Sequence, residues 1–265
     1  MRRWVVCRAR RLDRLGVCME AAQKIRDAVA NVSLLRQECG RQPGLARAVQ
    51  TVKRTQASRF AGTYADLLHS GPYVAATRFF LEELYGDKDY AERDAQFARI
   101  AGAIEKLFPA DVADTAVALA RLHSLTEHLD VAMGRAWLEA GRPESDIAAC
   151  YARAWRAVGR RDDREAQLTV VLSVGQEMAR LTRLPGLRLM LRMMRRPAAA
   201  AGLSSLQHFL EVGFDTFSAM AKRPGGAEAF LDTIRERESR LIEMLFEADL
   251  VACETQLASI LGQAR

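Results

Sequence analysis

A chain of 265 residues, 49% hydrophobic and 27% charged, is long enough for a large domain and too apolar to stay unfolded. Its net charge is +6, and its longest uncharged stretches fall well short of the ~20 residues that a membrane-spanning helix needs. Ala and Leu outnumber Val and Ile about three to one, a balance that favours helices over a large sheet.

Residues 1–18, MRRWVVCRARRLDRLGVC, read as a basic, disordered extension. Their apolar run Trp4–Cys7 is too short for a signal-peptide core, and arginines follow it. Met19 is an alternative start, which leaves residues 19–265 as one domain. Glu20 to Glu38 is a polar helix ended by Gly40 and Pro43. Leu45 to His69 is a longer one, stopped by Gly71-Pro72, and Tyr73 to Tyr85 a short aromatic one with Gly86 placed to end it. Asp89 with Glu92 has the spacing of a capping box and opens a helix to Phe108. Pro109 then starts a helix to about Ala140, ~45 Å long at 1.5 Å per residue. Asp146 to Val158 is short.

Asp162 with Glu165 repeats the capping-box spacing at the head of a helix to Arg183. Pro185 starts a short basic, methionine-rich helix that Pro197 stops. Leu203 to Met220 carries a stripe of Leu203, Leu206, Leu210, Phe214, Phe217 and Met220. Ala227 to about Leu261 is the last helix, with Glu236–Arg240 an outward i,i+4 pair. No alternating strand pattern, hairpin turn or 30–45-residue repeat intervenes. The expected fold is all-α: a single multi-helix domain of nine to ten helices behind the N-terminal extension.

Residues 1–60 hold 14 Lys+Arg against 4 Asp+Glu, and the remainder 25 against 29. A basic arm can bind nucleic acid, but the cations are nearly all arginine throughout, a bias of composition, and nucleic acid is not the expected partner. The cysteines (7, 18, 39, 150 and 253) are odd in number and form no CxxC, so neither a disulfide framework nor a zinc knuckle is indicated and a reduced, cytoplasmic setting is expected.

The segment Arg78 to Gly86, RFFLEELYG, followed by Arg93-Asp94-Ala95-Gln96 and preceded by Thr63 to Leu68, resembles the signature of an uncharacterised all-helical bacterial protein family with an FFLEELYG motif. The likeness continues through Leu125–Asp130, Tyr151–Arg160 and Leu206–Phe217, over roughly residues 45–247. It implies one helical domain and brings no activity, cofactor or catalytic residue.

Nucleotide loops and the common hydrolase and metalloprotease motifs are absent. Three residue groups remain. His123, Glu127 and Asp130 share one face of the central helix and form either a polar network, paired to arginines such as Arg59, Arg93 or Arg164, or a metal site of the helical-bundle kind and hence an enzyme. A bundle metal site needs a matching Glu-x-x-His on a second helix, and none is found. Phe79, Phe80 and Tyr85 read as structural anchors, with a ligand or haem-like pocket among the aromatics as the alternative. Arg188, Arg192, Met193, Arg195 and Arg196 form a basic amphipathic surface suited to a protein partner or an anionic surface. The expectation is binding or regulation rather than catalysis, with no cofactor; the oligomeric state is left open.

Overall fold

The computed structural model describes residues 2–84, 90–140, 146–223 and 225–264, with side chains from Ala21 onward except that of Leu107. The expected extension, residues 1–18, lies outside the described side chains, as Tyr85, Gly86 and Asp89 lie outside the described residues altogether. Among those described there is no strand.

The helices in chain order are α1 (Arg2–Gly40), α2 (Pro43–Thr63), α3 (Ala65–His69) and α4 (Val74–Phe79), which runs into a π-helical turn (Phe80–Leu84). Then come α5 (Ala91–Leu107), α6 (Ala110–Glu139), α7 (Ile147–Val158), α8 (Arg161–Leu181), α9 (Leu187–Met193), α10 (Arg195–Ala200), α11 (Ser204–Met220), α12 (Gly226–Glu247) and α13 (Leu250–Gly262). They exceed the expected nine to ten because three predicted helices are each broken in two.

Each break has a cause in the structure. Tyr64 leaves helical geometry between α2 and α3, and its fully buried ring lies 4.4 Å from that of Phe60 while its hydroxyl donates to Glu238 at 3.0 Å. Ala248 is extended between α12 and α13, and the Asp249 carboxylate caps α13 by accepting from the Val251 and Ala252 amides at 3.0 and 3.2 Å. Between α9 and α10 the chain bends at Met194, and Pro197 does not stop a helix. It sits in the first turn of α10, where a missing N–H costs nothing. Asp162 also differs from expectation: Arg160, in left-handed geometry, precedes α8, so Asp162 lies inside the first turn instead of capping it. The predicted cap Asp146 does accept from Ala149 N at 3.1 Å.

The 30-residue α6 is the axis of the domain and packs against α1, α2, α7 and α8. One part of the core gathers Met133 and Trp137 of α6, Tyr151 and Trp155 of α7, Leu245 of α12 and Leu257 of α13. A second is aromatic, built from Phe60, Tyr64, Phe79, Phe80, Phe217 and Phe230. The third joins Ile25 and Ala28 of α1 to Ala101 and Ile104 of α5 and Ala113 and Ala120 of α6. Small residues set the closest helix approaches. A Cβ at Gly62 would stand 1.9 Å from the Ile260 carbonyl oxygen, which is how α13 lies directly against α2.

Candidate functional site

The polar face predicted on α6 turns inward. Glu127 and Asp130 are 4% and 2% exposed, and His123 is half-buried above them. Their partners are not those expected. Glu127 accepts from Lys53 Nζ at 2.6 Å and from Arg36 Nη2 at 3.3 Å. Asp94, on α5, meets Arg36 at 2.9 Å and the His123 ring at 2.8 Å. Asp130 accepts from the Gln56 amide at 2.9 Å. Arg59 instead meets Glu238 at 2.6 Å, Arg93 meets Glu83 at 3.4 Å, and Arg164 lies over the Trp155 ring at 4.1 Å with its Nη1 donating to Gln167 at 3.4 Å.

These partners give the carboxylates different proton affinities. Burial alone would raise both Asp94 and Glu127. The His123 ring and Arg36 outweigh it at Asp94, and Lys53 and Arg36 at Glu127, so both lie below the usual carboxylate range. At Asp130 burial wins. The attraction of Lys53 and Arg164 is too weak to offset it, Glu127 adds repulsion, and the carboxyl is pushed up to about 6. Among the described residues no three His, Cys, Asp or Glu side chains come together as metal ligands. Each of these carboxylates faces a cation, an imidazole or an amide, which is a network arrangement.

The network forms one wall of a half-open cavity of about 170 Å³ bounded by α1, α2, the π-helical turn, α5, α6, α7, α8, α11 and α12. Leu119, Leu122, Phe97, Leu168 and Phe209 supply apolar walls. Tyr151 and Trp155 line it from α7, four residues apart and so on one helical face, with ring centroids 5.9 Å apart. They are 1% and 7% exposed. The Trp155 indole N–H has no hydrogen-bond partner among the described residues. The fields of Arg59, Arg164, Asp130 and Glu238 all reach the Tyr151 hydroxyl, and burial raises its pKa. Sequence reading placed Tyr151 only within a family likeness. The i,i+4 aromatic pair on an otherwise alanine-rich helix was the signal that could have singled it out.

The other predicted residues fall elsewhere. Phe79 and Phe80 are buried in the aromatic part of the core; Phe80 meets Phe230 edge-on at 5.3 Å. His69, His128 and His208 are exposed, leaving His123 as the histidine on the cavity wall. On α9 and α10, Arg188 pairs with Asp215 through two bonds of 2.7 Å and Arg195 forks onto Glu211, so two of the five surface residues are bound to α11. Arg192 and Arg196 are exposed, as is Met193 at 63%. No helix among the described residues is long and apolar enough to cross a membrane.

Residues 35–251 match the family model described as "Domain of unknown function (DUF8198)", and the chain belongs to that family. No curated protein and no solved structure matches the chain significantly.

Proposed function

We propose that this member of the DUF8198 family acts by holding a small molecule in the cavity beside α6 and α7. The observation that carries the reading is the space itself, about 170 Å³ with mostly apolar walls and with the buried Tyr151 and Asp130 among its lining residues. Apolar walls with a few convergent polar groups and a shifted carboxyl are the usual make-up of a ligand pocket. The volume suits a single ring, since an engineered cavity of about 150 Å³ admits benzene.

Titration with single-ring fragments, followed by the indole N–H resonances, tests this. At least one fragment should bind saturably and move the Trp155 signal, and Leu168→Trp, which fills the space, should abolish the effect. Fragments that never saturate, or that bind the filled variant equally well, would refute it.

A second reading keeps the surface of α9 as a docking face for a protein partner. It is favoured by Leu189 and Met193, 61% and 63% exposed on that short helix. Loss of a captured partner on Leu189→Glu/Met193→Glu, with the cavity still binding its fragment, would support it over the cavity reading.

A further inference from the structure

We infer that the cavity takes an uncharged, single-ring ligand that carries a hydrogen-bond acceptor beside a donor, the pattern of a lactam-type heterocycle. The inference rests on the cavity reading above and adds the chemical class.

Charge comes first. Among the described lining residues there are four cations, Lys53, Arg59, Arg93 and Arg164, and five carboxylates, with Arg36 behind the wall as a fifth cation. Most are already matched: Lys53 with Glu127, Arg59 with Glu238, Arg93 with Glu83, Arg36 with Asp94. A wall so balanced has no surplus of either sign to neutralise a charged ligand. Bringing a net charge into it removes that charge from water and sets it beside like charges as well as opposite ones. An uncharged ligand avoids both penalties.

The hydrogen-bond pattern comes second. The Tyr151 hydroxyl, on the α7 wall, offers a donor. It calls for an acceptor on the ligand. On the α6 wall the Asp130 carboxylate carries one hydrogen bond, from Gln56, where a carboxylate has room for several. It calls for a donor. Tyr151 on α7 and Asp130 on α6 line the same small space. The cavity volume of about 170 Å³ then limits the ligand to one ring with its substituents.

Four single-ring probes separate the possibilities at pH 7.5: 2-pyridone, benzoate, benzylammonium and toluene, each titrated while the indole N–H resonances are followed. We expect 2-pyridone to bind at least tenfold more tightly than the other three and to move the Trp155 N–H signal. Tyr151→Phe, which keeps the ring and removes only the hydroxyl, should weaken 2-pyridone by about two- to tenfold, the effect of one neutral hydrogen bond, and leave toluene unchanged. Tightest binding by benzoate or benzylammonium would overturn the ligand class while leaving the cavity reading in place. So would toluene binding as tightly as 2-pyridone. Absence of saturable binding by all four would overturn both.

Discussion

Asp130→Asn isolates the least comfortable group in the domain. The carboxylate lies fully inside, next to Gln56, Lys53, Glu127 and Arg164, and its pKa rises from 3.8 to about 6. The folded chain therefore holds that proton more tightly than the unfolded chain does. The stability linked to it is fully present below the unfolded value and is lost as pH rises through about 6. A rise of about two units corresponds to about 3 kcal/mol, so at pH 8 the ionised carboxylate weakens the fold by that amount relative to its neutral form. Asn is neutral at every pH, nearly the same size, and can still accept from Gln56. The variant should gain up to about 3 kcal/mol over the natural chain at pH 8, and the gain should fall below about 1 kcal/mol by pH 4. Urea unfolding at a series of pH values, followed by tryptophan fluorescence, reads the difference directly. A difference that stays constant from pH 4 to 8 would refute the reasoning. So would a loss that grows with pH, which would mean that a cation holds Asp130 in the folded state.

Glu127→Gln has the opposite sign: the depressed carboxyl stabilises above its unfolded value near 4.5 and loses that effect as pH falls through its lower folded value. The variant should therefore lose about 1–3 kcal/mol at pH 7 and progressively less in acid, measured by the same unfolding series. Phe80→Ala empties a site between Phe79, Phe217 and Phe230 and should cost about 3–5 kcal/mol; an unchanged melting temperature would show that the ring is not in the core. Gly62→Ala drives a methyl group into the Ile260 carbonyl and should cost about 1–3 kcal/mol by forcing α13 off α2, which a lowered denaturation midpoint would report.

Much of the local structure was legible in the amino-acid order. The period of the apolar residues places the long helices; Gly159, at φ +64°, ends α7 as read; and Leu206, Phe214, Phe217 and Met220 bury the predicted stripe of α11. The spacing of His123, Glu127 and Asp130 put them on one face, because helical geometry repeats within a few residues and needs no knowledge of neighbours. What that face meets was not legible. Arg36 stands 91 residues before Glu127, and Arg59 and Glu238 are 179 apart, so packing alone selects these partners from a chain rich in arginine. The break at Tyr64 has the same origin, since a tertiary hydrogen bond to Glu238 outweighs a helical preference of only a few tenths of a kcal/mol per residue, whereas the break at Ala248 rests on the local cap by Asp249. The cavity is decided last of all. A space of about 170 Å³ belongs to no segment and exists only where eight helices and the π-helical turn fail to close on one another, with Tyr151 and Trp155 lining it.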